Sequence, residues 1–137
     1  MSENSYEHLQ EGIRELKIQP EMRAFENKYP HRDYHVRLEF VEFTSLCPRT
    51  GLPDFGTIMI DYVPDRLIVE SKSLKLYLNA YRNLGIFNEH VVNKILEDFV
   101  RTCNPRFVEV TGIFNIRGGV IIRVQASHGR KTKENDD

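Results

Sequence analysis

Cys47 and Asp54 stand at the two ends of the segment CPRTGLPD, seven residues apart. A thiol and a carboxylate so placed offer a soft nucleophile and a proton donor. Attack by sulfur requires the thiolate, which nearby positive charge favours, and Arg49 is the nearest cation in sequence. Read instead as a structural residue, Cys47 needs only a place at the end of a strand, and its spacing leaves both readings open. Cys103, on an apolar helical stripe, reads as a small buried hydrophobe. A second stretch, VESKSLKLY (residues 69–77), passes from a buried strand into a helix start that carries two serines and two lysines. Ser71, Ser73 and the unpaired N–H groups of such a start can hold phosphates beside Lys72, Lys75 and Arg82, or the row can be a solvated face. Glu89, early in a later helix, either complements the helix dipole or accepts hydrogen bonds from a ligand with adjacent N–H donors, such as a guanine-like edge. The five histidines include no pair at metal-ligand spacing, so no metal site is expected. His90 reads as a surface residue or a neighbour of Glu89.

The elements that must hold these groups follow from the period of the apolar residues. Residues 1–30 show none and read as an irregular arm broken by Pro20 and Pro30. Residues 34–43 alternate, and the alternation slips at Val41, which predicts a β-bulge because every residue changes face. A loop rich in proline and glycine leads to the strand TIMIDYV, and a turn at Pro64-Asp65 leads to RLIVE. Leu74, Tyr77, Leu78 and Tyr81 then fall at helical spacing, with Gly85 to end the helix. Phe87, Asn88 and Val92 fit a staple and cap opening a second helix, whose stripe runs from Val91 to Cys103. The final strands form a hairpin turning at Gly118-Gly119, and residues 128–137 read as a disordered tail. Strands at both ends with two helices between them predict an α+β domain over residues 1–137, its mostly antiparallel sheet covered on one face. No glycine fingerprint follows a strand, so a Rossmann dinucleotide site is not expected. A net charge of −1 lacks the basic excess of an unspecific nucleic-acid binder. With no membrane-length apolar run and no signal pattern, the expectation is a cytoplasmic protein without membrane or direct nucleic-acid partners.

Taken together, FTSLCPRTGLPDFGTI, ESKSLKLY, YRNLGIFNEH and GIFNIRGG resemble, in order and spacing, the 7-cyano-7-deazaguanine reductases in their single-module form. The resemblance covers about residues 24–125. It implies a ring-forming tunnelling fold, assembled as a homodecamer of two stacked pentamers with active sites between subunits. It implies NADPH as cofactor and the small molecule 7-cyano-7-deazaguanine as substrate, reduced to the aminomethyl product in queuosine biosynthesis. Cys47 would form a covalent thioimide with the nitrile, and Asp54, its pKa raised, would protonate the nitrogen. Val69, Glu70, Ser71, Asn88 and Glu89 would contact the substrate, with Glu89 pairing to the base. Lys72, Ser73 and Lys75 would serve the cofactor. One position departs from the pattern: Asn88 stands where the family usually has histidine. Asparagine hydrogen-bonds but carries no proton through a cycle, so that histidine's role is positional, or His90 compensates, or activity is altered. Two other readings remain, an amidinotransferase attacking the same nitrile on a tRNA-borne base and a non-catalytic ring-forming domain that binds a purine-like ligand.

Overall fold

The structure, a computed structural model, describes residues 8–115 and 117–130. The chain runs β1 (Ala24–Glu26), β2 (Val36–Leu46), β3 (Pro53–Val63), β4 (Leu67–Val69), α1 (Ser71–Asn79), a 3-10 turn (Ala80–Asn83), α2 (Asn88–Cys103), β5 (Phe107–Asn115), a second 3-10 turn (Arg117–Gly119) and β6 (Ile121–Gly129). Four strands form an antiparallel sheet in the order β2-β3-β5-β6, and β1 pairs with β4 in a separate ribbon.

Strand alternation gives the sheet one apolar face. Phe43, Ile58, Ile60, Tyr62, Val108, Val110 and Phe114 point from it into a core completed by the stripes of α1 and α2. Gly112 lets α2 approach closely, since a Cβ there would lie 2.7 Å from Val92 Cγ2. The predicted bulge is present: Phe40 pairs with Ile58 but Phe43 with Gly56. It leaves Val41 67% exposed and returns Phe43 to the core. Beyond the bulge, Phe43 and Ser45 both face inward, which fixes the parity of the strand end that carries Cys47.

Four expectations need correction. The arm contains β1, whose three residues are too short to show a period. RLIVE supplies only the short β4, which pairs with β1 and not with the main sheet. The first helix does not run to Gly85; it tightens into a 3-10 turn after Asn79, and Gly85 instead forms a parallel bridge with Leu46. His128 and Gly129, expected in the tail, pair with Val108 and Phe107 as the end of β6, while residues 131–137 lie outside the described residues. Gly118 and Gly119 turn the last hairpin with positive φ, as their placement predicts. Among the described residues no helix is long and apolar enough to cross a membrane.

Candidate active site

The β2–β3 hairpin brings Cys47 and Asp54 to one end of the sheet. Ser45 and Asp54 are register partners. The turn is closed by Cys47 N–H donating to Leu52 O at 2.8 Å and Gly51 N–H to Cys47 O at 2.8 Å. Gly51 takes a positive φ of 73°, which suits a residue without a Cβ. Cys47 is half-buried, and its thiol pKa is held below the ordinary cysteine value. The largest cause is a hydrogen bond from the Thr50 hydroxyl; the main-chain N–H groups of Thr50 and Arg49 add to it. Partial burial and the charge of Asp54 oppose. Arg49 therefore helps through its backbone, where the sequence suggested its side chain. Thr50 is itself oriented, because Leu52 N–H donates to its Oγ1 at 3.2 Å. Cys103, by contrast, is buried in the core and pushed up to about 12 by desolvation, which leaves it inert as a nucleophile.

The segment before α2 lies against this hairpin. Leu46 N–H donates to Leu84 O at 2.9 Å and Ile86 N–H to Leu46 O at 3.0 Å. The N-cap of α2 is Phe87, with no side-chain capping bond, and not Asn88 as its type suggested. Asn88 is instead the first helical residue, only 8% exposed, with its Oδ1 unpartnered among the described residues. A buried acceptor without a donor is costly unless something else fills its valence. Glu89 follows in the first turn, exposed to solvent. His90 is held away through Nδ1, 2.8 Å from Gln10 Oε1.

The ESKS junction is organised differently from its sequence reading. Glu70 is the N-cap of α1: its carboxylate accepts from Lys72 N–H and Ser73 N–H, both at 2.9 Å. Those two bonds hold its pKa below the ordinary glutamate value. Ser73 is buried; its Oγ accepts from Arg23 N–H at 2.9 Å and donates to Glu70 O at 2.7 Å. The N–H groups of Lys72 and Ser73, two of the main-chain donors proposed for phosphates, are thus occupied within the chain. The exposed side chains of Ser71, Lys72 and Lys75 remain, beside a hollow of about 360 Å³ that they share with Leu38, Glu39 and Phe40. Arg82 lies past the helix, in the 3-10 turn, near Asn79 Oδ1 at 3.5 Å. Val69, at the other side of the junction, is buried and its N–H donates to Tyr62 Oη at 3.1 Å.

The sequence-named residues therefore form two groups, one around Cys47, Asp54, Asn88 and Glu89 and the other around Val69 to Lys75. Asp54 stands near the start of β3 and Tyr62, the contact of Val69, near its end. At about 3.3 Å per residue those positions are about 26 Å apart. Ser71, Lys72 and Lys75 lie nearer, beside a hollow they share with Ile58 and Ile60 in the middle of the same strand. The sequence reading missed Thr50 and Gln10, since neither role has a local signature.

An antiparallel sheet backed by two helices, with a hairpin that lowers the pKa of Cys47 beside a carboxylate, defines an α+β tunnelling-fold protein. The chain belongs to the QueF-like protein family, whose profile matches residues 53–133. Similar proteins named NADPH-dependent 7-cyano-7-deazaguanine reductase include one from Alkaliphilus metalliredigens, 54% identical over 80% of this chain and 66% of its own length. The Elusimicrobium minutum protein of that name is 54% identical over 82% of this chain and 84% of its own. That of Bacteroides thetaiotaomicron is 55% identical over 80% and 72%. Among solved structures, the apo form of the archaeosine synthase QueF-Like is similar with a TM-score of 0.66 and 27% identity, covering 70% of this chain and 94% of that one.

Proposed function

We propose that the protein reduces the nitrile of 7-cyano-7-deazaguanine to the aminomethyl product with NADPH, in queuosine biosynthesis. The observation that carries the chemistry is the lowered thiol pKa of Cys47 across a hairpin from Asp54. The relatives' names supply the substrate and cofactor.

A nitrile carbon is a poor hydride acceptor. Addition of the Cys47 thiolate forms a C–S bond and moves one π pair onto nitrogen, which takes a proton from Asp54; the result is a thioimide. Its C=N group accepts hydride more readily than the nitrile. Collapse of the first reduction product expels the thiolate, which Thr50 and the loop N–H groups stabilise, and a second reduction gives the amine. Two NADPH molecules, bound in turn, would supply one hydride each, with the protons taken up by nitrogen coming from Asp54 and solvent. Lys72 and Lys75 fit the cofactor phosphates: both are exposed cations at the rim of the apolar hollow. Ser73, fully engaged inside the chain, acts by fixing that helix start.

Glu89 accepts the N–H donors of the base, and the orphaned Oδ1 of Asn88 accepts one more. Asn88 thereby takes a positional role where the family pattern has histidine. Val69, Glu70 and Ser71 complete the pocket from a second copy of the chain, as the family resemblance implies; within one chain Val69 contacts Tyr62, at the end of β3 away from Asp54. Exposed Val41 on β2 and Ile121 on β6, the two outer strands of the sheet, are the kind of surface that subunit contacts cover. A ring follows from repeating that contact, and two stacked pentamers are the assembly we assign.

NADPH oxidation by the purified protein tests the reading: it should occur only with the nitrile present, two NADPH per nitrile. The likeness to an archaeosine synthase favours a second reading, addition of an amine or ammonia to the same nitrile on a tRNA-borne base. Amidine formation without NADPH oxidation would select it.

A further inference from the structure

α2 begins without a cap of its own. The first N–H groups of a helix have no partner inside it, and Phe87 in the capping position offers none. The missing acceptor arrives from the N-terminal arm. Gln10 Oε1 accepts from Phe87 N–H at 3.0 Å and from His90 Nδ1 at 2.8 Å, while its Nε2 donates to Gly85 O at 3.3 Å and to Leu9 O at 2.8 Å. The Phe87 N–H and the Gly85 carbonyl fix which end of the amide is oxygen, and they place the His90 proton on Nδ1. One side chain thus ties Gly85, Phe87 and His90 together around Asn88 and Glu89.

The arm that carries Gln10 is itself anchored. Lys94, only 5% exposed, donates to Arg14 O at 2.9 Å and pairs with Asp98 at 3.7 Å. Arg14 reaches Glu97 at 3.2 Å on the same helix. On its other side the turn is bonded to Leu46, the residue before Cys47. The turn therefore has two supports, the strand end that bears the nucleophile and the arm.

We propose that Gln10 is a positioning residue of the substrate site, supplying from the arm the cap that α2 lacks and holding the turn that presents Asn88 and Glu89. This rests on the reading of those two residues as base contacts. Gln10 touches neither sulfur nor the Asp54 carboxylate in this arrangement, so its loss should weaken base recognition and leave the chemical steps alone.

Gln10→Ala and Gln10→Met, the second keeping volume without an acceptor, should raise KM for 7-cyano-7-deazaguanine about fivefold. Their kcat should stay within about twofold of wild type. Gln10→Glu, which keeps the acceptor for Phe87 N–H but loses both Nε2 donations, should restore only part of the affinity. Amide hydrogen exchange at Phe87 should quicken in the first two variants and not in the third. Arg14→Ala, which removes an exposed pair but keeps the Lys94 bond to the Arg14 carbonyl, serves as a control for loss of surface charge on the arm and should leave KM unchanged. Unchanged KM in folded Gln10→Ala and Gln10→Met, unchanged Phe87 exchange, or a loss confined to kcat would overturn the proposal. If the wild-type protein fails to turn over the nitrile, the functional reading falls, and exchange at Phe87 still decides whether Gln10 caps the helix.

Discussion

Thr50 accepts from Leu52 N–H and donates its own proton to Cys47, so one loop residue links the closure of the hairpin to the charge of its thiol. A lowered pKa means that the thiolate fraction, and with it the rate of addition to a nitrile, rises with pH and levels off at lower pH than for an ordinary cysteine. Thr50→Val deletes the largest favourable contribution. Its pH–rate profile for adduct formation should move to higher pH, by up to about one unit, because a hydrogen bond to a charged group is worth that order. A superimposable profile would remove Thr50 from the account. Cys47 and Asp54 were legible in the sequence because the hairpin places them by chain proximity. Thr50 was not, since its contact depends on the positive φ of Gly51 and the turn that follows. Asn88 was legible as a position of interest but not as a buried residue with an open acceptor, which is a property of packing.

Two elements begin with caps that residue type alone misassigns. At α1 the cap is Glu70, whose carboxylate takes two main-chain N–H groups. Because those bonds hold its folded pKa below the ordinary glutamate value, the ionised form stabilises the fold. That contribution is complete above the unfolded value and is lost as pH falls through the folded one. Thermal unfolding followed from about pH 6 to pH 3 should therefore show a smaller acid-side loss for Glu70→Gln than for wild type. Equal losses would mean the cap does not form in solution. At α2 the serviceable cap residue, Asn88, is displaced by one position, and the acceptor comes from Gln10 in a distant part of the chain. Periodic elements were readable: the slip at Val41 gave the bulge, and the stripe from Val91 to Cys103 gave α2. β1 was not, because three residues in a ribbon with β4 carry no period, and the 3-10 turn after Asn79 was hidden by apolar spacing that suits either helix.

At the scale of the whole molecule, the separation of the two residue groups governs what one chain can do. Val69 contacts Tyr62, at the end of β3 away from Asp54, and on the proposed reading Cys47 and the Lys72 junction are halves of different sites. If copies complete one another, Cys47→Ala and a Lys72→Ala/Lys75→Ala variant, each inactive alone, should regain up to about one quarter of wild-type activity when their subunits are exchanged at random. No recovery after verified exchange would place both halves in one chain. The sequence carried this only through family resemblance, since period and spacing say nothing about which ends of a sheet meet in another copy. Beneath every level lies bond formation between Cys47 and the nitrile carbon, and the most direct test is intact mass of the protein mixed with 7-cyano-7-deazaguanine in the absence of NADPH. The account predicts one added ligand mass on wild type, the same mass formed more slowly on Asp54→Asn, and none on Cys47→Ala; an unmodified wild type, or an adduct that survives loss of Cys47, would contradict it.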